Sequence, residues 1–96
     1  MLLEKTIKEG DIVTLKLTSG EELITRYEGE DAEFIKISRP LALVAGGKSL
    51  GMIPWIFLAE SDTFKLQKRS IAVGPIISKK DAAAQYLEGT TGIALS

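Results

Sequence analysis

The side chains that could do chemistry in this 96-residue chain are mainly carboxylates, because the sequence contains no histidine and no cysteine. Thiol nucleophiles, Cys/His zinc sites and serine–histidine triads are therefore excluded. The acids that stand out lie in turns between apolar segments: Asp11, Glu30, Asp31, Glu60 and Asp62. A pair of them could catalyse proton transfer or hold a hard cation if the fold brought them together. Solvated turn acids are the simpler interpretation, so we predict no enzyme, no metal site and no cofactor.

The composition is typical of one small domain that spans residues 1–96. Hydrophobic residues make up 45% of the chain, which is enough for a core, although domains of this size often need oligomerisation. Only three apolar residues precede Glu4, and no run approaches the roughly 18 apolar residues of a membrane span. We therefore expect a soluble, cytoplasmic protein with no membrane partner. The net charge of −1 does not favour nucleic acid in bulk.

Alternating apolar residues predict β-strands along most of the chain. IVTLKLT and ELITRYEG flank the Ser19-Gly20 turn and should form an antiparallel hairpin. In its second arm Leu23, Thr25 and Tyr27 share one face, and Ile24 lies on the other. FIKISRPLALV is the third strand and MIPWIFLA is the fourth, which FKLQ continues after a break at ESDT, and IAVGPII is the last. MIPWIFLA (52–59) is apolar on both faces, which predicts burial on both sides or contact with a partner.

One helix is expected after the strands, at about residues 79–88, and a short tail should follow at 89–96. Ser78 is a candidate N-cap with Asp81 three residues on, and Gly89 is the expected C-cap. Because no helix separates the strands, parallel βαβ units are unexpected, and so few strands must curl to enclose a core. The predicted fold is mostly β: a small, strongly bent, five-stranded antiparallel barrel at about 10–77 with a C-terminal α-helix.

The segment VTLKLTSGEELITRYEGED resembles the first motif of the Sm/LSm family, the RNA-binding ring proteins that include bacterial Hfq. That motif follows alternating apolar residues with Gly, eight residues, Gly, one residue and Asp, which here are Gly20, Gly29 and Asp31. By this resemblance their spacing predicts a bent second strand and a loop that faces a pore. The second family motif is an Arg-Gly turn between the last two strands. Lys68-Arg69-Ser70 is its counterpart, with Glu60-Ser61-Asp62 as an alternative register. The resemblance covers about residues 12–77 and extends to small phage-associated Sm-like proteins.

The resemblance implies a non-catalytic, homo-oligomeric ring of Sm-like barrels that binds single-stranded RNA near its pore. The implied RNA-binding residues are Asp31, Phe34, Lys36, Lys68, Arg69 and Ser70. The implied subunit-interface residues are Trp55, Phe57, Ile71, Val73 and Ile76. The sequence departs from the family at Thr25 and Ser70, where Gly is usual, and at Ile35, where Asn recognises the base. The alternative interpretation is a structural or assembly module that binds protein partners through the barrel edges.

Overall fold

The structure is a computed structural model that describes residues 6–46 and 49–91. Most of these residues are in strands, and a single helix follows the last strand, as predicted. The elements, in chain order, are β1 (Ile12–Leu17), β2 (Glu22–Glu30), β3 (Phe34–Gly46), β4 (Ser49–Pro54), β5 (Thr63–Gln67), a 3₁₀ turn (Lys68–Ser70), β6 (Ile71–Ile77) and α1 (Lys80–Thr91). The predicted tail at 89–96 is helical as far as Thr91, and the remainder of it lies outside the described residues.

The strands form one antiparallel sheet in the order β4-β3-β2-β1-β6, and β5 pairs with β3 beside β4. The sheet therefore has six strands, and the prediction of five is wrong. Over residues 6–46 and 49–91 no pairing joins β5 to β6, so the sheet is not closed. Each of these two strands pairs along one side only, β5 with β3 and β6 with β1. Their outer edges are open.

The additional strand exists because β3 changes partner along its length. Its first part, Phe34–Ser38, pairs with β5, and its second part, Leu41–Gly46, pairs with β4. The change occurs at Arg39, whose φ of 49° is unusual for a residue with a side chain, and at Pro40, which has no N–H to donate. The register between β2 and β3 shifts at the same place. The bulge thus lets one long strand pair with β5 along its first part and with β4 along its second part.

A second bulge bends β2, as the glycine spacing in this arm predicts. The register between β2 and β3 shifts again between Tyr27 and Glu30. Gly29 lies inside this shift with φ +113°, a conformation that favours glycine. The bend directs the end of β2 into the turn that begins at Asp31.

The core follows the alternation of the strands. Eight buried residues form its main cluster: Val13, Leu15, Leu17, Leu23, Tyr27, Ile35, Ile37 and Leu66. Ile24 lies on the other face of β2, as predicted, but it is buried as well, with 1% of its surface exposed. It lines a groove together with Ala82 and Gln85 of α1. The helix therefore covers a face of the sheet that alternation alone assigns to solvent.

The helix is held by one buried side chain. Tyr86 is fully buried, and its hydroxyl lies 3.0 Å from the carbonyl oxygens of both Ser38 and Arg39. The Arg39 Nη1 group donates to the carbonyl oxygen of Thr90 at 3.0 Å. These contacts join α1 to the bulge of β3. The helix continues past Gly89 to Thr91, so the predicted C-cap at Gly89 is wrong.

Two other local predictions are corrected. Ser78 lies two residues before α1, so the prediction that it is the N-cap is wrong. Its Oγ is 2.7 Å from Thr14 Oγ1, and it therefore links β1 to the segment that precedes the helix. The strand predicted at 52–59 ends at Pro54, because the following residues leave the sheet. Phe57 and Leu58 are 69% and 98% exposed, so the end of this apolar run is not buried within the chain.

Candidate functional site

The turn between β2 and β3 is organised by Asp31. Its Oδ1 accepts hydrogen bonds from the backbone N–H groups of Glu33 at 2.9 Å and Phe34 at 2.8 Å. The Asp31 N–H in turn donates to the carbonyl oxygen of Phe34 at 2.9 Å. The bonds from Phe34 and, secondly, Glu33 hold the pKa of the Asp31 carboxyl below its usual range. Asp31 thus fixes where Phe34 enters β3.

The 3₁₀ turn between β5 and β6 lies directly beside this first turn. The Lys68 N–H donates to the carbonyl oxygen of Glu33 at 2.9 Å. The Lys68 ammonium pairs with Glu30 Oε2 at 2.8 Å. The Tyr27 hydroxyl donates to the other oxygen of the same carboxylate at 2.7 Å. These hydrogen bonds and this ion pair therefore hold residues that are distant in sequence together at one end of the sheet.

These contacts shift two pKa values in opposite directions. The Lys68 ammonium, followed by the Tyr27 hydroxyl, holds the pKa of Glu30 below its usual range. Burial, followed by the hydrogen bond to Glu30, raises the pKa of Tyr27 to about 12. At neutral pH Glu30 is ionised and Tyr27 is protonated. Much of the charge of Lys68 is therefore balanced within the protein.

A cationic face with an aromatic ring lies on the paired strands next to these turns. Lys36 of β3 and Lys65 of β5 are directly opposite each other in the strand register. The Lys65 ammonium lies 5.8 Å from the centre of the Phe34 ring, within cation–π range. Phe34 is half-buried and separates two shallow depressions. We call Phe34, Lys36, Lys65 and Arg69 the cationic face.

The depressions bring together most of the residues that the sequence points to. One is lined by Glu28, Gly29, Glu30, Asp31, Phe34, Lys36 and Lys65. The other is lined by Ala32, Glu33, Phe34, Gln67, Lys68 and Arg69. Ser70, the last predicted RNA-binding residue, lines neither. Its carbonyl oxygen accepts a hydrogen bond from the Thr18 N–H at 2.8 Å, which ties the turn to β1.

Sequence reasoning missed two members of the site, Lys65 and Gln67. Gln67 Oε1 accepts a hydrogen bond from Arg69 Nε at 3.1 Å and so orients the guanidinium group. The alternation of FKLQ places Lys65 and Gln67 on one face of their strand, so a signal was present. Only the strand register could show that Lys65 lies opposite Lys36.

Ile35 occupies the position where the Sm/LSm family has its base-recognising Asn. Its side chain is 2% exposed and belongs to the main core cluster. No amide is therefore offered to a ligand at this point. The alternative second-motif register, Glu60-Ser61-Asp62, lies elsewhere, because Asp62 pairs with Arg39 at 3.1 Å at the bulge of β3.

The predicted interface residues fall into two groups. Val73 and Ile76 of β6 are 50% and 53% exposed, and Phe57 is 69% exposed. Trp55 and Ile71 are half-buried and pack against the core. Trp55 also donates from Nε1 to Glu21 Oε1 at 3.4 Å. The exposed group is the one whose surface is free within the described chain.

Three further observations bear on the class of site. In the two described ranges of the chain, no group of three or more acidic side chains is placed to hold a metal ion. The described helix is too short to cross a membrane. No protein-family model and no curated protein matches the sequence.

Proposed function

We propose that this protein is an Sm-like, homo-oligomeric ring that binds single-stranded RNA at the cationic face and performs no catalysis. The observation that carries the binding site is the opposition of Lys36 and Lys65. Like charges directly opposite each other on neighbouring strands destabilise a sheet. An anionic ligand between them would remove that cost. RNA supplies such an anion in its phosphates and supplies bases that stack on an aromatic ring such as Phe34.

The carboxylates of Glu28, Glu30 and Asp31 line the depression beside the pair, but the cations that are left without an ion pair support an anion more than a neutral ligand. Lys68 is already paired with Glu30, whereas neither Lys36 nor Lys65 makes an ion pair within the described ranges. Arg69 is exposed, and its Nε is held by Gln67. Three cations therefore surround Phe34. The buried Ile35 gives no polar group for reading a base, so we expect weak sequence preference.

The open edges support the ring. A strand with an unpaired edge is a template for pairing with another chain. β5 and β6 both have such an edge in the described structure. If β5 of one copy pairs with β6 of the next, each contact leaves another open edge at its far side. Repetition with a suitable rotation closes a ring and removes the open edges of β5 and β6.

The test combines mass in solution with binding to short U-rich and A-rich RNAs at several salt concentrations. We expect an assembled wild-type protein whose RNA affinity falls steeply with salt, because phosphate contacts release counterions. Arg69→Ala should weaken binding, leave the mass unchanged, and reduce the slope of log affinity against log salt by about 0.7. Lys16→Gln, on β1, is the matched control and should retain affinity.

Two outcomes would contradict the proposal in different ways. A monomeric wild-type protein would refute the ring. An assembled ring without RNA affinity at low salt would favour the second candidate, an assembly module that binds protein through its surface. The exposed side chains of Phe57 and Leu58 are the observation that supports that candidate.

A further inference from the structure

A loop with an apolar tip projects from the sheet between β4 and β5. We call residues 55–62 the Phe57 loop. Both of its ends are fixed: the Trp55 N–H donates to the carbonyl oxygen of Pro40 at 3.0 Å, and the carbonyl oxygen of Asp62 accepts from the Arg39 N–H at 2.7 Å. Between these ends Phe57 and Leu58 are 69% and 98% exposed. An anchored loop that presents large apolar side chains is already shaped for an interface.

A groove suited to such side chains lies on the helix side of the sheet. We call it the helix groove. It has a volume of about 430 Å³. Its apolar lining comprises Ile24, Leu43, Leu50, Met52, Ile76, Ile77 and Ala82. Leu50 and Ile76 are 62% and 53% exposed, so the groove is open to solvent within the described chain.

Chain direction relates the loop of one copy to the groove of another. If β5 of one copy pairs antiparallel with β6 of the next, Thr63 at the start of β5 lies near Ile77 at the end of β6. The chain immediately before Thr63 is the Phe57 loop. The five steps from Leu58 to Thr63 span at most about 17 Å when extended. Ile76 and Ile77, which line the groove, are within that reach.

The charge that is complementary to the loop lies beside the helix groove and not in it. The Phe57 loop carries Glu60 and Asp62 and no basic residue, and Asp62 is paired with Arg39. Glu22 and Asp81 line the helix groove together with Lys79. Lys79 and Lys80 are the charged residues that line the adjoining depression. Antiparallel pairing would bring Glu60 of a second copy toward these two lysines while the apolar tip of its loop meets the groove.

We propose that the Phe57 loop of each subunit docks in the helix groove of the next, with Phe57 and Leu58 against Leu50, Met52 and Ile76. The proposal rests on the proposed ring, because the antiparallel β5–β6 contact brings the two surfaces together. The loop and the β3–β4 hairpin would thus add a second contact to each strand-pairing interface. This contact would use residues outside the two Sm-like motifs.

Disulfide trapping between copies tests the contact directly, because the chain has no cysteine of its own. Leu58→Cys protein is mixed with Ile76→Cys or Met52→Cys protein under mild oxidation. We expect a mixed disulfide dimer with both partners. Leu87→Cys is the matched control: Leu87 is 37% exposed on α1 but is absent from the groove lining, so no mixed disulfide should form with it.

A second measurement keeps the test independent of cysteine geometry. Phe57→Ser/Leu58→Ser should weaken subunit association at least about 10-fold, because two large apolar side chains lose their buried site. Leu87→Ser should leave association unchanged. If the wild type assembles but neither the disulfide nor the weakened association is seen, the loop contact is refuted and the ring stands. A monomeric wild type would refute the ring, and this contact with it.

Discussion

Lys36 and Lys65 face each other across β3 and β5, and their repulsion should be measurable in the absence of any ligand. Lys36→Gln removes one of the two charges from an exposed position. We expect the free energy of unfolding to rise by about 0.2–1 kcal/mol at low salt. The gain should shrink at high salt because exposed charges are screened. Urea unfolding at two salt concentrations measures both effects, and the same variant should bind RNA less tightly.

Lys16→Gln provides a control of opposite sign. Lys16 of β1 lies directly opposite Glu22 of β2 in the strand register, so its charge is favourable where it stands. Its removal should lower the free energy of unfolding slightly and leave RNA affinity intact. If Lys36→Gln also lowers stability, the opposed lysines are not strained, and the main argument for an anion between them fails.

Tyr27 predicts a specific loss of stability at high pH. Burial and the hydrogen bond to Glu30 raise its pKa to about 12, from a usual value of 10.0. The folded protein therefore holds this proton more tightly than the unfolded chain. The resulting stability is fully present below pH 10 and is lost as pH rises toward about 12. In Tyr27→Phe the decline over this window should be smaller than in the wild type.

The ultraviolet absorbance of tyrosinate distinguishes the two tyrosines of the chain. Burial also raises the pKa of Tyr86. Because the chain has two tyrosines, the absorbance of the Tyr27→Phe variant reports the titration of Tyr86 alone. Glu30→Gln is the matched variant, because it removes the neighbouring carboxylate and retains the burial of Tyr27. We expect Glu30→Gln to bring the titration of Tyr27 part of the way back toward pH 10. A wild-type protein whose two tyrosines both titrate near pH 10 would contradict this account.

Two glycines give opposite expectations at the scale of secondary-structure elements. Gly74 lies in a bulge of β6 with φ +102°, and a Cβ there would stand 2.8 Å from the Thr14 carbonyl oxygen. Gly74→Ala should therefore cost about 2–4 kcal/mol. Gly89 lies within α1, and a Cβ there would meet nothing within 4 Å. Gly89→Ala should stabilise the protein by up to about 1 kcal/mol. Thermal or urea unfolding measures both changes. A Gly74→Ala variant as stable as the wild type, or a Gly89→Ala variant less stable than it, would contradict these expectations.

The sequence predicted those elements whose pattern is local. Alternation located the β1–β2 hairpin, and the glycine spacing located the bend of β2 at Gly29. The sequence could not predict which strands pair with β3, because this pairing depends on the bulge at Arg39-Pro40 and on contacts from the distant Tyr86. The burial of Ile24 was missed for the same reason. Alternation assigns a residue to a face, but only the packed helix determines what covers that face.

The candidate site was predictable to a similar depth. The resemblance to the first Sm/LSm motif implied Asp31 and Phe34, and the counterpart of the second motif implied Lys68-Arg69. The pairing of Lys68 with Glu30 needed the two turns to meet in space, as they do in the structure. Lys65 needed the register of β5 against β3. The prediction of a strand at 52–59 was wrong because Pro54 ends the strand, although the residues that follow it are still apolar.

At the scale of the whole molecule, the open edge of β6 is the feature on which the ring depends. Ala72 and Val73 are exposed on this strand, so lysines at both positions should leave the fold of the single chain intact. A lysine at position 73 lies opposite Lys16 of β1 and should lower the free energy of unfolding by only about 0.2–1 kcal/mol. Lysines on an edge oppose the addition of another strand. We expect Ala72→Lys/Val73→Lys to have the mass of one chain and to keep its β-rich circular dichroism spectrum. Val44→Lys is the control, because Val44 is 42% exposed, lies on neither β5 nor β6, and does not line the helix groove.

Loss of the ring should also weaken RNA binding, although neither lysine touches the cationic face. Each subunit offers few contacts to RNA, so tight binding requires several subunits on one strand, and linked sites gain about 10²–10⁴-fold. The Ala72→Lys/Val73→Lys variant should therefore lose more affinity for a long RNA than for one that spans a single site. Arg69→Ala should weaken both. Equal losses on the two RNAs in the lysine variant would mean that subunits bind independently, and the ring would then have another purpose.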